Sequence, residues 1–370
     1  MEKVAYRLAA VGDVMLDRTV GKRFRERPQD FQLPEISTLL RGHDLIFANL
    51  ENPVGLKGTP HPIQHPNVTF CCHPDTLKVL KNIGVTVVSL GNNHMLDYGE
   101  TSLHETLEYL DSHGIKHVGA GRNYEEANRP LLLEVNDKKV AMLSYVFLYS
   151  ASTKMATRRN AGVSEHRIGN ILPRIKELAR QDYQVLVSVH WGMEYCFYPL
   201  PYQMQQARQM IDHGACLIIG HGPHYPQGIE EYKDGRIVYS LGNFIFDEPH
   251  RFANRSFIYS VGVTGSNELC GQTIHPVHIV SGVPTLVDGR HKQSIERLVE
   301  KLGRLYPRRR KPFWQALNST YFSDIVWRVQ SMKSLKFAFL PPMSFYWNVG
   351  FKNYLRKFTP KRLRAYVGVA

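Results

Sequence analysis

The stretch from Val85 to Gly99 constrains the fold more tightly than any other. Val85-Thr86-Val87-Val88 is apolar and β-branched and reads as a buried parallel strand. It gives way at once to Ser89-Leu90-Gly91-Asn92-Asn93-His94-Met95-Leu96-Asp97-Tyr98-Gly99. Thr101 to His113 then has helical spacing, with Leu103, Leu107 and Leu110 on one face. A polar cluster between a strand and a helix lies at the carboxyl edge of a sheet, where α/β proteins place ligands. Two amides, an imidazole and a carboxylate are costly to order there without a partner. The other reading is a capped turn, with Asn92 and Asn93 bonding their own backbone.

The pattern recurs along the chain, which makes the fold class α/β. Tyr6 to Val11 runs into Gly12-Asp13, and the strand after Asp44 ends in Asn49 and Glu51. Val185 to Val189 ends in His190-Trp191-Gly192-Met193-Glu194-Tyr195, and Cys216 to Ile219 in Gly220-His221-Gly222-Pro223-His224. Asn136-Asp137 and Asp234-Gly235 mark hairpin turns. The spacing predicts helices over 77–83, 171–180 and 203–213, a strand over 115–120, and strands over 256–263 and 274–280. Residues 54–68, rich in Gly, Pro and His, read as a surface flap, and 149–169 as an excursion over the site, with Arg158 and Arg159 at hand.

Strand ends of this kind gather carboxylate, amide and imidazole on one edge. Asp13, Glu51, Asn93, His190, His221 and His224 are the candidate ligands of a divalent ion such as Mn, Fe or Zn. Asn49, Asn92, Glu194 and Asn243 are candidates to support them or to touch substrate. Two such ions would clamp a phosphate and generate a hydroxide nucleophile. His94 is placed to protonate a leaving group, with Asp97 the nearest carboxylate to orient it. Together these residues are coherent as a phosphoester hydrolysis site.

Charge divides the chain. The net charge is +13, and the segment 300–370 sets fifteen Lys and Arg against only Glu300 and Asp324, so the rest is neutral. That points to a body over 1–290 and a basic, aromatic-rich extension over 291–370. The extension suits an anionic membrane surface or a polyanion, and it carries no nucleic-acid motif. As the blander alternative it is a solvated, partly docked helical extension. Five cysteines without CxxC spacing suit a reducing compartment. With no signal-peptide pattern or membrane-length apolar run visible, the expected location is cytoplasmic, peripheral at the inner membrane face.

Gly12-Asp13, Asn49-Leu50-Glu51, Asn92-Asn93-His94 with Tyr98-Gly99, His190-Trp191-Gly192 with Glu194-Tyr195, Gly220 to His224, and Tyr239-Ser240-Leu241-Gly242-Asn243-Phe244 occur in that order. Together they resemble the CapA family of bacterial capsule and poly-γ-glutamate synthesis proteins, which is similar in fold to the calcineurin-like metallophosphatases. The resemblance implies a four-layer α/β/β/α sandwich with a metal site at the strand ends, and an anionic polymer or peptide as substrate. It also implies a metal-dependent hydrolase of phosphoester or amide bonds. The metallophosphatase pattern has Asp-x-His at the first strand, where this chain has Met15. At the second it has Gly-Asp-x-x-Asp, where this chain has Asn49 and Asn52, with Glu51 offering the carboxylate. Two alternatives remain open: a metal-independent peptide epimerase using the same histidines and carboxylates, and a non-catalytic polymer-binding component.

Overall fold

Along the first strand Leu8 and Ala10 alternate with Ala9 and Val11, all apolar, so both faces must be buried. The computed structural model describes residues 2–250 and 252–304; the basic extension lies outside the described residues from 305 onward. In chain order the elements are β1 (Val4–Val14), α1 (Arg18–Glu26), α2 (Pro34–Leu40), β2 (Leu45–Leu50), α3 (Leu77–Asn82), β3 (Val87–Ser89), α4 (Gly99–Ser112), β4 (Lys116–Val118) and β5 (Ala120–Gly121). Then come α5 (Tyr124–Asn128), β6 (Leu131–Val135), β7 (Lys138–Val146), β8 (Gly162–Val163), α6 (Ile168–Arg180), β9 (Gln184–His190), α7 (Pro201–Asp212) and β10 (Ala215–His221). The last are β11 (Ile229–Tyr232), β12 (Gly235–Val238), β13 (Asn243–Ile245), β14 (Arg255–Thr264), β15 (Leu269–Val280), β16 (Val283–Leu286) and α8 (Gly289–Gly303).

Two sheets result. One has the order β16-β15-β14-β1-β2-β3-β4, with β13 also paired to β1, and is parallel from β1 to β4. The other has the order β11-β12-β10-β9-β7-β6, with β7, β9, β10 and β12 parallel.

Side-chain alternation builds three apolar layers between four layers of structure. Ala9, Val11, Ile46 and Val88 pack outward against Val20, Ile36, Leu80 and Leu107 of α1 to α4. Leu8, Ala10, Phe47 and Val87 face the other sheet's Met142, Leu186, Leu217 and Val238. That sheet's outer face, with Val185, Val187 and Ile218, packs on Ile171, Ile175 and Met210 of α6 and α7. The architecture is the expected α/β/β/α sandwich.

Three local features depart from the sequence reading. The strand expected over 115–120 is broken into β4 and β5 by Gly119 at φ +101°, where a Cβ would sit 2.6 Å from Gly91 N. Asn243 to Ile245, given no element in the sequence reading, pairs with β1 as a short parallel strand. Finally, α8 buries Ile295, Val299 and Leu302 in the middle and outer cores. The body's packing therefore continues past the 290/291 boundary drawn from composition.

Candidate active site

Register brings the polar strand ends into rows. Asp13 pairs with Asn49 on one side and Asn243 on the other, and His221 pairs with His190 on the second sheet. The sheets are joined here: His221 Nδ1 donates to Asp13 Oδ1 at 2.9 Å and Gly222 N to Asp13 Oδ2 at 3.2 Å. Gly222 has φ +101°, and a Cβ on it would lie 2.9 Å from Trp191 O and 3.1 Å from His190 Nε2, so only glycine allows this approach. His224 is itself left-handed, at φ +57°. Backbone strain of that kind collects at functional sites. Its Nδ1 donates to Asn243 Oδ1 at 2.8 Å and lies 3.5 Å from Asp13 Oδ2. His224 Nε2 and His190 Nε2 then lie 3.6 and 3.7 Å from the same Glu51 Oε1.

Glu51 is buried, and neither of its oxygens has a hydrogen-bond partner; nor do Asn93 Oδ1, His190 Nε2 and His221 Nε2. Burial, reinforced by the nearby Asp13 carboxylate, pushes Glu51 well above the usual carboxylate range. Burial acts on Asp13 too, but hydrogen bonds from His221 and His224 overcome it and hold Asp13 well below. His224 is buried against protonation yet raised well above the usual imidazole value by Glu51 and Asp13. Burial pulls His190 down to about 3, keeping it neutral. Half-buried Glu194 adds negative potential at Glu51 and His224.

Asp13, Glu51 and His224 place one ligand atom each within 4.8 Å of one another. Carboxylate oxygen, imidazole nitrogen and amide oxygen suit a hard-to-borderline divalent cation, and buried donors without protein partners are what such a cation satisfies. The residues therefore fit a divalent metal.

Beside this cluster stands the His94–Asp97 pair. His94 Nδ1 donates to Asp97 Oδ2 at 2.8 Å. Asn92 links the pair to the cluster: its Oδ1 accepts from His94 N at 3.1 Å, and its Nδ2 donates to Leu50 O at 2.8 Å and to Asn49 Oδ1 at 3.4 Å. Asn49 Nδ2 continues to Asp13 Oδ1 at 2.9 Å and reaches His190 Nδ1 at 3.3 Å. An apolar wall closes the side. The Phe70 ring lies 4.5 Å from His94, the Phe246 ring 5.0 Å from His224, and buried Met15 packs in one cluster with both. Arg18, ion-paired to Asp247, lies over both rings.

The structure thus brings Asp13, Glu51, His190, His221, His224, Asn49 and Asn243 into one cluster, tied through Asn92 to His94 and Asp97. Asn93 belongs to the linking turn, its side-chain oxygen buried. Sequence reasoning did not find Gln64, Phe70, Ser152, Phe246 or Arg18. A glutamine in a Pro-rich flap and a serine in an aperiodic loop carry no local signal. The excursion over 149–169 touches the site through Ser150, Ser152 and Thr153, while Arg158 and Arg159 are exposed in the turn beyond.

The chain is 33% identical over 247 residues to the capsule biosynthesis protein CapA of Bacillus anthracis, a match covering 65% of this chain and 60% of that protein. It is 33% identical over 239 residues to the PGA biosynthesis protein CapA of Bacillus subtilis strain 168, covering 64% and 62%. The chain therefore spans about 60% of the length of these relatives. Among solved structures, the NAD nucleotidase of Haemophilus influenzae aligns over 82% of this chain and 60% of its own, with a TM-score of 0.45 and 10% identity. A family profile, described as bacterial capsule synthesis protein PGA_cap, matches residues 7–248. That span takes in every strand end of the site, from Asp13 to Asn243, and the chain belongs to this capsule synthesis family.

Proposed function

We propose that this protein is a divalent-metal-dependent hydrolase that cuts a phosphoester or amide bond in the making of a capsule-type anionic polymer. The observation that carries the reading is Glu51: a buried carboxylate with no protein donor, facing the Nε2 atoms of His190 and His224. Asp13, Glu51, Asn93, His190, His221 and His224 would hold the metal, either Mn, Fe or Zn by donor chemistry. When bound, the metal polarises the scissile group and lowers the pKa of water.

The chain's own residues supply the rest. Asp13, oriented by Asn49, His221 and Gly222 N, fixes the cluster between the sheets. With Nδ1 committed to Asp97, His94 has Nε2 left to hand a proton to a leaving group, and the carboxylate stabilises the imidazolium. Phe70 and Phe246 exclude water from one side of the two histidines.

The capsule and PGA biosynthesis named for the relatives supports an anionic polymer or peptide as substrate. Among the described residues no helix is long and apolar enough to cross a membrane. The free thiols suit the cytoplasm, where segment 300–370 would meet the anionic inner membrane face.

The test is elemental analysis of protein purified without chelator, with hydrolysis of bis-p-nitrophenyl phosphate by the parent and by His94→Ala. Bound transition metal and His94-dependent turnover are expected. Metal-free protein that exchanges a peptide α-proton would instead support the epimerase. No turnover by either route would leave a polymer-binding component.

A further inference from the structure

Two loops that the proposed chemistry does not use end on the same carboxylate. Gln64, in the flap between β2 and α3, donates Nε2 to Asp97 Oδ1 at 2.7 Å. Ser152, in the loop between β7 and β8, donates Oγ to that same oxygen at 2.5 Å. The two also meet each other: the backbone N of Ser152 donates to Gln64 Oε1 at 3.1 Å, closing a ring of three residues. All three are buried. Ser152's loop also grips the other end of the site's turn, where Ser150 Oγ and Thr153 Oγ1 donate to Asn93 O at 2.7 and 3.0 Å.

The turn needs such support. Residues 90–98 form neither helix nor strand. Backbone bonds such as Asp97 N to His94 O, at 3.0 Å, do not by themselves fix where the His94 ring points. Hydrogen bonds to an ionised acceptor are roughly twice as strong as neutral ones. Donors on Asp97 from two separate loops therefore restrain the pair more than packing alone.

We propose that Ser152 and Gln64 are positioning residues. By clamping Asp97 from two loops they hold the His94 ring and the Asn93 amide in place beside the metal-binding cluster. The role rests on His94 as proton donor, but the mechanical coupling can be read without turnover.

The experiment is a double-mutant cycle in the full chain, using Ser152→Ala, Gln64→Ala, Asp97→Ala and the pairs with Asp97→Ala. Hydrogen exchange is followed at Phe70 and at 92–97. In either single variant these amides should exchange about tenfold faster, while those of β1 and β9 keep their rates. In the Asp97→Ala background Ser152→Ala should add nothing. With bis-p-nitrophenyl phosphate and Mn²⁺, kcat should fall about tenfold at unchanged KM in Ser152→Ala and recover in part in Ser152→Thr. Faster exchange confined to 149–163 would overturn the proposal, as would an equal Ser152→Ala effect with and without Asp97. Should the parent hydrolyse nothing, the hydrolase reading fails and the exchange cycle still decides the positioning role. If Ser152→Ala does not fold, Gln64→Ala carries the same test from the flap side.

Discussion

Glu51 and Asp97 are carboxylates at the same sheet edge, 1% and 0% exposed, yet the protein surrounds them in opposite ways. Asp97 accepts from His94 Nδ1, Phe70 N, Gln64 Nε2 and Ser152 Oγ. Glu51 accepts from nothing. A buried carboxylate without donors is among the costlier arrangements a fold can hold, because its lost hydration goes unreplaced. The nearby amide donors of Asn49, Asn92 and Asn243 are all spent on other acceptors. Asp97 is therefore finished by the protein, as a fixed orienting group. Glu51 is left for a cation to complete.

The largest expected effect follows from Glu51→Gln. Losing the ligand charge should cost more than about a hundredfold in Mn²⁺ affinity, beyond what orienting residues usually contribute, and hydrolysis should go with it. Yet the metal-free variant should be about as stable as the parent, because a buried carboxyl without hydrogen-bond partners is exchanged for a neutral amide of the same shape. Titration calorimetry and melts in chelator read both. A variant that keeps its metal and loses stability would erase the contrast with Asp97.

Next in size is Asp97→Ala, with the reverse signature. Metal affinity should stay within about tenfold, kcat should fall about a hundredfold, and stability should drop by roughly 2–4 kcal/mol as buried donors lose their acceptor. If Asp97→Ala instead empties the metal site while sparing stability, the two carboxylates are not divided in this way.

The contrast was only half legible in the sequence. Parallel strands ending in Asp13, Glu51, His94, His190 and His221 stand out because apolar runs of about strand length stop at polar residues. Their gathering then follows from strand order. Gln64 and Ser152 reach Asp97 across sequence separations of 33 and 55 residues, through loops whose path no periodicity encodes. Helix α1 was given no bounds for a related reason: its apolar face is only Val20 and Phe24, one turn apart, too short a pattern for periodicity to mark. In α8, Ile295, Val299 and Leu302 do have helical spacing, but the charge excess beginning near 300 drew a boundary across it.

A smaller effect is the pH dependence of the metal-free protein. Glu51 is raised above its ordinary 4.5, so between that value and its folded pKa the native state holds a proton the unfolded chain releases, and stability falls as pH rises. His224, raised above 6.5, acts in the same sense: its contribution is complete below 6.5 and lost as pH climbs through the folded value. Asp13, depressed below 3.8, contributes above that value and loses its share only in acid. In chelator, stability should therefore decline as pH rises above 6.5. Mn²⁺ should flatten the curve by supplying the missing positive charge. Glu51→Gln should flatten it as well, since His224 then loses the first cause of its raised pKa. An unchanged slope in that variant would place the pH dependence elsewhere.

The smallest effect on either carboxylate should come from removing residues 305–370. Both carboxylates and all their partners lie within 13–243, and a cut after 304 spares Val299 and Leu302, which α8 buries in the body's cores. Metal content and turnover of a small phosphodiester should thus match the full chain. The deleted segment holds most of the tail's excess positive charge. Attraction to a surface of anionic lipid grows by about 1 kcal/mol per Lys or Arg near it and is screened by salt. Binding to phosphatidylserine vesicles should therefore fall steeply on truncation, and in the full chain it should weaken between low and physiological ionic strength. Loss of metal from the truncated protein would make the tail part of the site. Unchanged vesicle binding would remove it from the membrane.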